Sequence, residues 1–64
     1  MFTSTETRIA GQIAALQSVI GKEYKVITTR EDTFVLWSGG SHVIECEDLH
    51  DIANVLSEIL DVVS

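Results

Sequence analysis

The sequence has no proline, a single cysteine, a single tryptophan and only four basic residues. Each scarcity excludes something. One cysteine, Cys46, rules out an intrachain disulfide, so no internal cross-link holds the fold. Four Lys and Arg against ten Asp and Glu give a formal net charge of −6. Direct nucleic-acid binding and attraction to anionic membranes both need clustered positive charge, and neither is expected. Apolar runs are short, and none approaches the roughly 20 residues that span a bilayer. The opening MFTSTETR has no basic stretch leading into an apolar one, so no signal peptide is expected. A lone thiol without an export signal fits a cytoplasmic location. There is no linker, internal repeat or low-complexity tract, and 64 residues make one domain, 1–64.

What is present is an apolar fraction of 45%, ordinary for a globular chain and too high for disorder. A domain of this size buries only about 60% of the surface its unfolded chain exposes. Chains this small lean on disulfides, metals, very regular packing or a partner subunit. With the disulfide excluded, self-association becomes an early expectation.

Three segments organise the chain. TSTETRIAGQIAALQSVIGK reads as a helix, with Ile9, Ile13, Leu16 and Ile20 on one stripe. Thr3 and Glu6 have capping-box spacing, and Gly21 stands where a left-handed residue ends a helix. EYKVITTREDTFVLWSGGSHVIEC is rich in β-branched and aromatic residues and reads as strands near 23–29, 33–38 and 41–46. Arg30, Glu31 and Asp32 interrupt the apolar pattern and mark a first turn. Gly39-Gly40 marks a two-residue hairpin turn, because both its central residues need positive φ. EDLHDIANVLSEILDVVS reads as a second helix with Asp48 as N-cap and Asp51 three residues on. Leu49, Ile52, Ala53, Leu56, Ile59, Leu60 and Val63 form its apolar face, which Val55 and Val62 widen. The order predicts an α+β fold: a two-layer α-β-β-β-α domain with a three-stranded antiparallel meander and two helices.

Alternation along strands assigns side chains to sheet faces. A regular Gly39-Gly40 hairpin pairs Trp37 with His42, Val35 with Ile44 and Thr33 with Cys46. A first turn of two or four residues adds Tyr24, Val26 and Thr28 to that face. The expected interface is therefore Tyr24, Val26, Val35, Trp37, His42 and Ile44, with Lys25, Ile27, Thr29, Phe34, Leu36, Val43 and Glu45 on the other side. Two apolar faces on one small sheet point to an interface, since a solvated antiparallel face should turn polar. Two plainer arrangements compete. One helix can cover each face, or a three-residue first turn can move the first strand's side chains across and dilute the patch. Thr7, Gly11, Ala14 and Ser18 make a small-residue stripe opposite the first helix's apolar face, which an ordinary exposed helix side explains.

The chemical motifs are weak. SGGS resembles a phosphate loop only in composition, since such loops lead into a helix and here a strand pattern follows. His42, Cys46 and His50 are four apart, but on a strand that spacing separates the first two by about 13 Å, so no metal site is expected. Cys46 and His50 meet at a strand–helix junction without an oxyanion hole or room for a substrate cavity, so no catalytic residue, cofactor or enzymatic activity is expected. Glu45, Glu47, Asp48 and Asp51 form an acidic patch. It serves the helix dipole or docks a basic partner.

In size, acidity and single-domain build the chain looks like the small accessory proteins encoded by phages and mobile elements. Some of those inhibit host nucleases or defence complexes. The likeness is one of profile. The leading expectation is a small acidic protein-interaction module that forms a homodimer through its apolar face. One alternative, which the profile implies, is an inhibitor that binds a basic nucleic-acid-handling host protein. Another is a carrier that holds a small ligand such as a nucleotide between subunits, stacked on Trp37.

Overall fold

The computed structural model describes residues 4–63. The elements follow the expected order: helix α1 (Ser4–Ile20), strands β1 (Tyr24–Thr28), β2 (Phe34–Ser38) and β3 (Ser41–Cys46), and helix α2 (Leu49–Val63). The fold is α+β, with the three strands in spatial order β1-β2-β3 and antiparallel throughout.

Local chemistry sets most boundaries. Gly21 has φ 68°, and its N–H reaches the Gln17 carbonyl at 3.0 Å, the left-handed cap that closes α1. Thr3, the other half of the expected capping box, lies outside the described residues. Asp48 caps α2: its Oδ1 accepts the His50 N–H at 2.8 Å, satisfying a donor that the helix cannot. Gly39 and Gly40 have φ of 57° and 84° between the paired Ser38 and Ser41. This is the two-residue hairpin turn, and a strand follows it rather than a helix.

The first turn is a three-residue loop. Thr29 and Thr33 bracket Arg30, Glu31 and Asp32, with Thr29 N–H donating to the Thr33 carbonyl at 2.9 Å. Asp32 takes φ 61°, a left-handed conformation that Asp tolerates and that three-residue hairpin loops require. The Thr29 hydroxyl oxygen accepts the N–H groups of Glu31 and Thr33 at 3.2 and 3.3 Å, tying the loop together.

Both helices pack on the same side of the sheet. Ile9, Leu16, Tyr24, Leu36, Ile52, Ala53 and Leu56 form one buried cluster. Ile13, Ile20, Val26, Phe34, Ile44, Cys46, Leu49, Val55, Ile59, Leu60 and Val63 pack around it. Leu16, Leu36, Ile52 and Leu56 are fully buried, each contributing about 2 kcal/mol of apolar burial. Gln12 links the helices, its Nε2 donating to the Ala53 carbonyl at 3.1 Å. Val62, expected to widen the apolar face of α2, is instead 85% exposed.

Candidate interaction surface

Strand register decides what the sheet shows to solvent. Val26 pairs with Leu36, and Leu36 with Ile44; this row lies under the helices. Lys25 pairs with Trp37, and Trp37 with His42; this row lies on the opposite, outer face. Ile27, Val35 and Glu45 form the next outer row.

Two local features overturn the expected face assignment. The three-residue first loop puts Tyr24 and Val26 beneath α1 in the core, and Lys25 and Ile27 outside. In β3, Leu36 faces Ile44 while Trp37 faces His42. Val43 is thus an extra, bulged residue. The bulge returns Ile44 and Cys46 to the core side, where they pack against the buried cluster. Of the six expected interface residues, Val35, Trp37 and His42 share the outer face. Tyr24, Val26 and Ile44 belong to the other. A single-residue offset moves every following side chain across the sheet, and here it happens twice.

The outer face remains apolar with different members. Ile27 and Val43 are 40% and 42% exposed. Trp37 is half-buried. Val35 is only 8% exposed although it stands outside the core cluster; on the central strand it is flanked by Ile27 of β1 and Glu45 of β3. The Trp37 indole meets the His42 ring edge to face, with centroids 5.8 Å apart and planes at 85°. A shallow depression of about 480 Å³ beside Trp37 is bounded by Glu23, Lys25, Ile27, Gly39 and Gly40.

Polar groups close one end of this face. The Thr29 and Thr33 hydroxyl oxygens lie 2.6 Å apart, and the Thr33 hydroxyl donates to Glu45 Oε2 at 2.5 Å. Glu45 is thereby tied to the outer face of the β3 edge, while Lys25 is exposed at the β1 edge.

The expected acidic patch divides. Asp48 is occupied as the N-cap of α2. Glu45, Glu47 and Asp51 line a groove of about 470 Å³ between β3 and α2, together with Ile44, Cys46, Asn54, Val55 and Glu58. Glu58 was not anticipated; its place seven residues after Asp51, two helical turns along the same side, was the available signal. Burial, and after it the Asp51 carboxylate, push the Cys46 thiol above its ordinary range, the reverse of what an activated nucleophile needs. Among the described residues no three His, Cys, Asp or Glu side chains gather as metal ligands would. No helix there is long and apolar enough to cross a membrane.

Comparison with known proteins gives no significant match to a family model, a curated protein or a solved structure.

Proposed function

We propose that this chain is a non-enzymatic protein-interaction module that forms a homodimer through the outer face of its sheet. One observation carries the reading. Both helices pack on one side, so Ile27, Val35, Trp37 and Val43 face away from the only core cluster among the described residues. A solvated antiparallel face turns polar, whereas this one holds the chain's single tryptophan at its centre. Tryptophan is enriched among the residues that dominate interface energetics. A standard interface buries about 800 Å² per partner, under a fifth of the 4455 Å² surface, an area that one broad side of a two-layer molecule can supply.

The test is the Trp37→Asp variant. A charge at the centre of an apolar interface should leave a folded monomer, with wild-type helical circular dichroism and half the solution mass. Ile27→Asp should behave alike from the neighbouring strand. Variants that stay dimeric overturn the reading.

The groove between β3 and α2 favours a second reading. Its rim of Glu45, Glu47, Asp51 and Glu58 over apolar Ile44 and Val55 suits a basic partner, as a cytoplasmic inhibitor of a nucleic-acid-handling protein would present. Binding of this kind weakens steeply with salt; a complex indifferent to 0.5 M salt (roughly a 4 Å screening length) argues against it.

A further inference from the structure

The outer sheet face is electrostatically asymmetric, and that asymmetry selects how two copies stack. This inference rests on the homodimer reading above. Lys25 stands on the outer face of the β1 edge, in the row of Trp37 and His42. Glu45 stands on the outer face of the β3 edge, in the row of Ile27 and Val35, held there by the Thr33 hydroxyl at its Oε2. The two edges thus carry opposite charges at neighbouring rows.

Two copies stacked face to face, about 10 Å apart with strands roughly aligned, can be related by a two-fold axis along the strands or across them. An axis across the strands lays β1 on the partner's β1 and β3 on the partner's β3. Lysine edge then meets lysine edge, and glutamate edge meets glutamate edge. An axis along the strands lays β1 over the partner's β3. Each Lys25 then passes over the row of Trp37 and His42, one row of about 7 Å from Glu45. A lysine side chain spans that offset. Glu23, at the turn end of the β1 edge, then falls opposite the His42 end rather than over another carboxylate. Each chain already carries a net charge of −6, so a contact joining like edges adds to an existing repulsion, while one joining unlike edges offsets it.

We propose that the homodimer's two-fold axis runs along the strands, so that Lys25 of each copy pairs with Glu45 of the other, flanking a centre of Ile27, Val35, Trp37 and Val43. Thr33 engages one oxygen of Glu45 and leaves the other for this pair. The contact occurs twice by symmetry, as an isologous interface requires.

The experiment is a charge-swap cycle read as the dimer dissociation constant by sedimentation at low salt. The proteins are wild type, Lys25→Glu, Glu45→Lys, the double swap and the neutral Lys25→Gln. Each reversal should weaken dimerisation about tenfold, from two rim pairs lost at once, and the double swap should return to within about threefold of wild type. Lys25→Gln should also weaken it. A double swap as weak as the product of the two single effects overturns the Lys25–Glu45 pairing, and a Lys25→Gln variant that dimerises more tightly overturns the strand-parallel axis and points to like edges in contact. Glu45→Gln, which keeps an acceptor for Thr33, guards against loss of the fold and should weaken dimerisation as Lys25→Gln does. Failure of the axis and failure of the dimer separate cleanly. In the first case wild type still dimerises and Trp37→Asp does not. In the second, wild type is monomeric at every concentration.

Discussion

Val35 and Leu36 are adjacent in the chain and both are buried, at 8% and 0% exposure, yet only Leu36 belongs to the helix-packed core. The sheet is therefore closed on one side by two helices and on the other by its own side chains alone. That second side is what the proposed dimer covers. The register that produces it makes a sharp prediction about the next strand.

Val43 and Ile44 should respond oppositely to truncation. Ile44 packs against the core, while Val43, the bulged residue, is 42% exposed on the outer face. Ile44→Ser should cost about 3 kcal/mol by loss of core contacts. Val43→Ser should cost no more than about 1 kcal/mol. Urea denaturation at low protein concentration, where dimerisation does not contribute, measures both. Equal costs, or a larger cost at Val43, would mean that the ladder runs without a bulge.

That pair also shows where the sequence ceased to be readable. The five elements, the Gly39-Gly40 turn, the Gly21 cap and the Asp48 cap each rest on a local rule and follow from the residues alone. The faces of β1 and β3 do not, because each depends on counting residues through a turn or along a ladder. Asp32 in a left-handed conformation lengthens the first loop to three residues, an arrangement the sequence allowed beside two others. The bulge at Val43 has no such local signal: SHVIEC alternates equally well without it. Only the need to bring Ile44 and Cys46 under the helices distinguishes the two ladders. Trp37 and Val35 alternate with Phe34 and Leu36 along β2 whatever the loops do, so that these pairs lie on opposite faces was legible; which of the two apolar faces the helices cover was not.

The hairpin turn predicts a graded response. Positive φ is required at both glycines, although no described atom lies within 4 Å of where a Cβ would stand. Backbone strain alone therefore sets the cost. Gly39→Asn should be nearly neutral, since asparagine is accepted at the first position of this turn. Gly40→Val should cost about 2 kcal/mol, lowering Tm by roughly 8–16 °C in a domain of this size. Thermal melts of the two variants check this.

Gly11 offers a stabilising change. It lies within α1, is exposed, and has no described neighbour within 4 Å of where a Cβ would stand. Gly11→Ala should raise stability by about 0.5–1 kcal/mol through reduced backbone entropy in the unfolded chain. A loss of stability would indicate that the small-residue side of α1 is packed against something in solution.

The Cys46 thiol should give a pH signature. Burial first, and the Asp51 carboxylate second, push its pKa above the ordinary thiol range, so the folded protein holds the proton more tightly than the unfolded chain. The stability this brings is present in full below the unfolded value and is lost as pH rises through the folded one. Alkylation by iodoacetamide at pH 9 should be slower in the folded protein than in urea, and faster in Asp51→Asn than in wild type. A rate that does not change on unfolding would contradict this placement of the thiol.

The most direct test of the central claim is the solution mass of the wild-type chain, by light scattering on a gel-filtration column across a dilution series. The account predicts about 14 kDa, twice the 7.0 kDa of one chain, falling toward a single chain only on strong dilution, with Trp37 emission moving to longer wavelength as the face is exposed. A mass of one chain at every concentration, with Trp37 emission unchanged, would contradict it.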